Sequence, residues 1–261
     1  MTSNLNFAAV AWCEERLLRR GEPLHLARLF SPPALRARTT AIGALYVEFE
    51  SIIDQPRDLN VARMKLAWWR DELGRLEMGE PAHPATKLLA TANVTRTMQH
   101  LLDLVTGMEL NLLEGRPRDP ATARVCSERG GAQLIAALNV RLEAADRGSD
   151  DLTDCPMGRG IALARLLRWP PGEALSAELA ASVRKDLTDA RGRLTTSAAA
   201  IRVLAALAWH QAQRPAPGRA TGPGKQRLDT LRAWQAARGK LPRGLRANKG
   251  AQSRQSGRSG A

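Results

Sequence analysis

The hydrophobic residues of the chain recur at helical spacing over most of its length. A clear example begins at Val94, Met98 and Leu101 and continues at three- and four-residue intervals to Leu112, just before Gly115. No stretch alternates apolar and polar residues for long, and runs of β-branched or aromatic residues are scarce. The pattern therefore predicts an all-α protein.

Proline and glycine residues mark where the predicted helices begin and end. Proline fits the first turn of a helix, where its missing N–H costs nothing, and glycine fits the position just past the end. Asn60 is predicted to cap a helix that ends before Gly79, and the pair Gly130-Gly131 is predicted to interrupt a helix or to pack closely. The predicted helices cover residues 7–20, 34–54, 61–76, 94–112, 120–145, 158–169 and 226–238, with further helix within 176–213.

The composition is that of a folded protein, with 44% hydrophobic and 25% charged residues in a chain of 261. Three cysteines, Cys13, Cys126 and Cys155, lie far apart and show no metal-ligand spacing, which favours a protein with reduced thiols. No window approaches the roughly 18 consecutive apolar residues of a membrane span. We therefore predict a cytoplasmic location.

The net charge of +13 is concentrated in the last part of the chain. Residues 214–261 hold 12 basic residues and one acid, whereas residues 1–213 hold 27 basic and 25 acidic residues. We predict a helical domain over 1–213, followed over 214–261 by a Pro/Gly-rich linker, a short helix at about 226–238 and a basic disordered tail. Such a tail attracts polyanions, which leaves a peripheral membrane contact open. Its lack of interleaved aromatic residues disfavours nucleic acid as a partner.

Four segments of the chain resemble the squalene/phytoene synthase family. Two of them resemble its N-terminal half, namely LARLFSPPALRARTTAIGALYVEFESIID at 26–54 and ARMKLAWWRDELGRLEMGEPAHPAT at 62–86. CSERGGAQLIAAL at 126–138 is similar to a helix kink of small residues in the family, and GRGIALARLLRW at 158–169 is similar to a later helix. The resemblance spans about residues 22–240 and implies an isoprenoid-synthase-type helical bundle.

The resemblance also implies a reaction, the head-to-head joining of two prenyl diphosphates. Family enzymes neutralise the departing diphosphate with Mg²⁺ ions held by two opposed D-x-x-x-D motifs, because residues four apart share one helical face. The first motif corresponds to Asp54 and Asp58, with Glu50 one turn earlier. Pro56 disfavours a helix inside this motif, so turn and capping roles are favoured for the two aspartates and metal binding is the alternative.

The second motif has lost its first acid. When residues 158–169 are aligned with the family helix without a gap, Trp169 and Glu173 fall at the two acidic positions, and Arg165 stands where the family usually has Asn or Asp. An indole does not bind Mg²⁺, and Pro170-Pro171 end the helix that the motif needs. Without this metal-held charge the barrier would rise by several kcal/mol, on the order of a thousandfold in rate, which predicts weak or lost catalysis.

Three further residues are candidates for substrate binding. Arg36 lies near a predicted helix start, where it could help to hold a diphosphate, and Trp68 and Trp69 could line an apolar prenyl pocket. Solvated or ion-paired surface for Arg36 and plain core packing for the tryptophans are alternatives.

Two functions remain open from the sequence. The first is binding of a prenyl diphosphate or another isoprenoid lipid, with Mg²⁺-dependent head-to-head prenyl transfer if catalysis survives. The alternative is a non-catalytic family member that acts as a protein- or lipid-binding assembly factor, since the same region also resembles mitochondrial complex I assembly factors built on this scaffold. The sequence identifies no protein partner for such a member.

Overall fold

The computed structural model describes residues 2–20, 22–54, 56–92, 97–139, 156–167, 173–194, 197–213 and 223–246. Within these ranges the regular structure is helical and no β-strand occurs. The prediction of an all-α fold is therefore confirmed. Cys155 and the tail beyond residue 246 lie outside the described residues.

The helices follow one another with short connections. The α-helices are α1 (Thr2–Arg20), α2 (Glu22–Leu29), α3 (Pro33–Ile53), α4 (Leu59–Glu77), α5 (Pro84–Ala90), α6 (Met98–Glu114), α7 (Pro120–Ser127), α8 (Gln133–Asn139), α9 (Pro156–Leu166), α10 (Glu173–Asp189), α11 (Arg191–Leu194), α12 (Ala199–Ala212) and α13 (Pro223–Ala237). A π-helical segment at Glu128–Ala132 joins α7 to α8, and a 3-10 turn at Arg243–Leu245 follows α13.

Helix α3 is the central helix of the N-terminal half. It begins at Pro33, since proline is accepted in a first turn, and it ends at Ile53, before the constraint that Pro56 places on the chain. Every residue from Ala41 to Val47 is buried, and the helix packs against α1, α2, α5, α6 and α8. Side chains near its C-terminal end are thus held by several neighbouring helices.

Helix α4 is capped by an acid rather than by the predicted asparagine. The side chain of Asp58 accepts hydrogen bonds from the backbone N–H groups of Asn60 and Val61, which have no partner inside the helix. The prediction that Asn60 caps this helix is therefore wrong by two positions. Helix α5 was not predicted, although His83 at its cap and Pro84 in its first turn are common start signals.

The π-helical segment contains Gly130 and Gly131, where the sequence predicted an interrupted or closely packed helix. A Cβ atom on Gly131 would lie 1.9 Å from the Cβ of Ala162 in α9, and one on Gly107 in α6 would lie 2.4 Å from the carbonyl oxygen of Arg129. Glycine at these positions therefore lets α6 and α9 approach the π-helical segment from both sides. Such π turns occur frequently at functional sites.

Helix α9 is fixed in place by a charged network. Arg159 donates from Nη2 to Oδ1 of Asp186 in α10 at 2.6 Å and from Nη1 to Oε1 of Glu128 at 2.9 Å. The hydrogen bonds to Asp186 raise the pKa of Arg159, so the guanidinium stays charged. This network ties α9 to α10 and to the π-helical segment.

Helix α13 packs against α12 through small residues. Ala233 and Ala236 are buried, whereas Leu228, Leu231 and Trp234 remain largely exposed. The predicted helix at 226–238 is thus observed at Pro223–Ala237. The predicted division of the chain at residue 213 stays a proposal. None of the described helices has the length and apolarity that a membrane crossing requires.

Candidate functional site

A cavity of about 670 Å³ lies between α3, α6, the π-helical segment and α9. Its volume falls within the range of small-molecule sites in proteins. The apolar part of its wall is formed by Val47, Ile53, Met108, Leu166 and Leu179. Its charged lining residues are two acids and three arginines, namely Glu50, Asp54, Arg19, Arg116 and Arg165.

The carboxylate of Glu50 is bound on both oxygens by Arg165 of α9. Nε of Arg165 donates to Oε1 of Glu50 at 2.7 Å, and Nη2 donates to Oε2. The two side chains are 11% and 29% exposed respectively, so the pair is largely shielded from water. A bidentate pair in such surroundings is stronger than an ordinary surface salt bridge.

Tyr46 completes this cluster one turn before Glu50. The guanidinium carbon of Arg165 lies 4.9 Å from the centroid of the Tyr46 ring, within the range of a cation–π contact. Burial, reinforced by the Glu50 carboxylate, raises the pKa of the Tyr46 phenol, which therefore stays protonated. Burial acts to lower the pKa of Arg165, but the charge and hydrogen bonds of Glu50 outweigh it, and the pKa is raised. The guanidinium is thus permanently charged.

Asp54 is also paired with an arginine. Nη2 of Arg116 donates to Oδ1 of Asp54 at 2.8 Å and to its backbone oxygen at 3.1 Å. The positive φ of 75° at Gly115 ends α6 and lets the chain turn towards the end of α3. This pair is more exposed than the Glu50 pair, because 56% of the Arg116 side chain is accessible.

Asp58 does not line the cavity. It caps α4, whereas Asp54 lies at the end of α3, so the two carboxylates of the first D-x-x-x-D motif do not share a helical face. The capping role that the sequence favours is therefore the one that Asp58 has in the structure. Asp54 instead belongs to an ion pair.

The acids around the cavity do not fit a Mg²⁺ site. Both oxygens of Glu50 bond to a guanidinium, and Asp54 is engaged by a second arginine. Mg²⁺ requires near-octahedral oxygen ligation at short distance, which a carboxylate already bound to a guanidinium does not offer. Across the described ranges, no cluster of three or more His, Cys, Asp or Glu side chains is placed to hold a metal ion.

The second predicted motif lies mostly outside the described residues. Trp169 and the prolines at 170–171 fall in the gap at 168–172, and only the backbone of Glu173, the first residue of α10, is described. Arg165 lies in α9 within the described residues and lines the cavity. Its guanidinium binds Glu50, the acid one turn before the first motif.

Arg36, Trp68 and Trp69 do not line the cavity. Arg36 is exposed in the first turns of α3, 14 residues before Glu50, which corresponds to roughly 21 Å along the helix. Trp69 is buried and packs edge-to-face on Phe49 with 5.4 Å between ring centroids. Trp68 is 43% exposed on the outer face of α4. Substrate contacts by these three residues stay a prediction.

Residues 17–124 match the family model of squalene/phytoene synthase. The match lies within the N-terminal half of the chain. The predicted resemblance is thus confirmed from α1 into α7, a stretch that includes Glu50, Asp54 and Asp58. The family match covers less than half of the chain and ends before Arg165. No curated protein matches the chain.

Squalene/phytoene synthases bind prenyl diphosphates and typically depend on Mg²⁺. The described residues form an all-α structure that is consistent with the fold of that family, with a partly apolar cavity beside α3. It differs in the charged end of the cavity, where Arg165 and Arg116 hold the two acids that line it. The site therefore carries guanidinium ions in contact with both acids of its lining.

Sequence reasoning missed several lining residues. Tyr46 lies four residues before Glu50, so helical spacing could have placed both on one face. Asn111 and Ser127 carried no signal, because single polar residues on helices are usually solvated. Arg116 follows a helix-ending glycine, which marks a loop without indicating where the loop goes.

Proposed function

We propose that this protein is a non-catalytic member of the squalene/phytoene synthase family that binds an isoprenoid lipid in the cavity beside α3. The observation that carries the proposal is the bidentate contact of Arg165 with Glu50. This contact removes an acid from metal binding and leaves the apolar wall of the cavity available to a hydrocarbon chain.

Prenyl transfer must stabilise the negative charge of a departing diphosphate, and this requirement supports the proposal that the protein is not a catalyst. A departing diphosphate gains negative charge as its carbon–oxygen bond breaks, and metal ions are the usual means of stabilising that charge. Arg165 and Arg116 are already neutralised by Glu50 and Asp54, so they offer little further stabilisation. The missing stabilisation corresponds to several kcal/mol of barrier, on the order of a thousandfold or more in rate.

A diphosphate-release assay tests the catalytic part of the proposal. Purified protein is incubated with Mg²⁺ and farnesyl or geranylgeranyl diphosphate, beside an Asp54→Ala/Asp58→Ala control. We expect the same background release from both proteins. Release by the unaltered protein that disappears in the control would show that this is a prenyltransferase.

Equilibrium dialysis with a radiolabelled prenyl compound tests the binding part. We expect saturable binding that does not require Mg²⁺. A Met108→Trp variant is expected to weaken it, since a larger side chain on the apolar wall fills the space of the ligand. A matched control, Met64→Trp, changes an exposed residue of α4 outside the cavity. Equal binding by both variants, or none by the unaltered protein, would refute lipid binding at this site.

The proposal places the protein in the cytoplasm, with a peripheral contact to anionic lipid through the basic residues of 214–261. These residues hold 12 basic side chains against one acid, a balance that favours a negatively charged surface. Co-sedimentation with phosphatidylserine vesicles should fall steeply with salt and weaken after truncation at residue 246, which removes three of the 12 basic residues. Equal sedimentation with uncharged vesicles would argue against this contact.

A protein-binding role is the second candidate, and α4 carries the observation that favours it. Val61, Met64 and Trp68 lie at three- and four-residue spacing and are all exposed, although the buried face of the helix is already packed. A Met64→Glu variant should lose a partner that the full chain retains in co-purification. If the variant retains every partner, the exposed face of α4 is not a protein-binding surface.

A further inference from the structure

Three buried polar atoms of the cavity have no hydrogen-bond partner among the residues that the structure describes. They are Oδ1 of Asn111, Oγ of Ser127 and Nη1 of Arg165. All three residues line the same cavity. A buried polar atom left without a partner destabilises the protein, so such atoms usually serve a ligand or ordered water.

The orientation of Asn111 is fixed by its other bond. Its Nδ2 donates to the backbone oxygen of Cys126 at 3.1 Å, and a carbonyl oxygen can only accept. The amide oxygen of Asn111 must therefore be the atom that remains without a partner. A ligand that satisfies it has to donate a hydrogen bond.

Nη1 of Arg165 and Oγ of Ser127 differ from the Asn111 oxygen in that each can donate a hydrogen bond. Nη1 of Arg165 can only donate, because a guanidinium has no acceptor atom, and Nε and Nη2 already donate to Glu50. The hydroxyl of Ser127 can donate or accept. A group that serves all three atoms needs one proton to donate and lone pairs to accept, and an alcohol hydroxyl has both.

A diphosphate does not meet these needs. At neutral pH its oxygens are acceptors, so one of them would face the Asn111 oxygen without a proton between them. The described charged residues of the lining, three arginines and two acids, leave a single excess positive charge. That charge does not balance a diphosphate in a partly buried site.

We infer that the cavity takes an uncharged amphiphile with a hydroxyl head and a hydrocarbon tail, such as a prenyl alcohol, rather than a prenyl diphosphate. The hydroxyl donates to Asn111 and accepts from Arg165 and Ser127, while the tail lies along the wall that includes Val47 and Leu179. This inference rests on the proposed function, since it assumes that an isoprenoid chain occupies the cavity.

Matched ligands test the inference without altering the protein. Calorimetry in the absence of Mg²⁺ compares farnesol, farnesyl methyl ether and farnesyl diphosphate. We expect farnesol to bind about tenfold more tightly than the ether, which cannot donate to Asn111, and more tightly than the diphosphate. Tightest binding of the diphosphate, or equal binding of farnesol and its ether, would overturn the inference while leaving lipid binding intact. Binding of none of the three would instead refute the proposed function.

A serine variant supplies an independent readout. Ser127→Ala removes a hydroxyl without a described partner, so it should raise the melting temperature of the unliganded protein and weaken farnesol binding about fivefold. Ser197→Ala is the control, because that buried hydroxyl lies outside the cavity and donates to a backbone oxygen at 2.7 Å. It should lower the melting temperature and leave the affinity unchanged. Unchanged farnesol affinity in Ser127→Ala would show that the hydroxyl serves water only and would overturn the inference.

Discussion

The ion pair of Arg165 and Glu50 gives the sharpest prediction for stability. Arg165→Met keeps much of the aliphatic stem beside Tyr46 but removes the charge, which leaves the Glu50 carboxylate 29% exposed and without its partner. Two unit charges at about 4 Å interact by about 4 kcal/mol at an effective dielectric constant of about 20. Breaking a fully buried pair costs about 3–5 kcal/mol, and the partial exposure of Glu50 lowers our expectation to about 2–4 kcal/mol.

A double-mutant cycle separates this pair from the packing around it. Glu50→Met alone leaves the Arg165 guanidinium unpaired and should also destabilise the protein, whereas the double variant should lie within about 1 kcal/mol of the unaltered chain. Urea unfolding followed by tryptophan fluorescence measures the free energies. If the two single variants each cost less than about 0.5 kcal/mol and add in the double variant, the pair is not the stable contact that we describe.

Three further predictions concern the scaffold. Gly131→Ala should lower the free energy of unfolding, measured in urea, by more than about 2 kcal/mol, because the added Cβ would overlap Ala162 of α9. The control Gly74→Ala should be neutral or slightly stabilising, because a Cβ at that position meets nothing within 4 Å. Asp58→Ala should cost about 1 kcal/mol, but Asp58→Asn should restore most of it, a result that a metal ligand would not give. Burial lowers the pKa of His83 below its unfolded value, so the free energy of unfolding should fall as the pH drops below about 6.5. The fall should be less steep in His83→Asn, and an equal dependence on pH in the two proteins would contradict this prediction.

Much of the fold could be predicted from the sequence because its signals are local. Three- and four-residue spacing predicted the helices, and proline and glycine predicted the start of α3 and the end of α6. The glycine pair at 130–131 predicted an interruption or close packing, because small residues permit close approach of helices. The error at Asn60 arose because two neighbouring polar side chains can both cap a helix, and geometry selects between them.

The charged end of the cavity could not be predicted in the same way. Arg165 and Glu50 are 115 residues apart in sequence, and only the tertiary arrangement of α3 and α9 brings their side chains together. The sequence identified Arg165 as a departure from the family pattern but gave no partner for it. The orphaned atoms of Asn111 and Ser127 depend on tertiary contacts in the same way.

Metal binding tests the central claim most directly. Paramagnetic resonance measures the signal of free Mn²⁺, a substitute for Mg²⁺, with and without the purified chain and with a Glu50→Gln/Asp54→Asn variant. The account predicts the same free signal for the unaltered chain and the variant, because both acids are held by arginines. A signal that the unaltered chain lowers and the variant does not would mean that these acids bind the metal, and the account would be wrong.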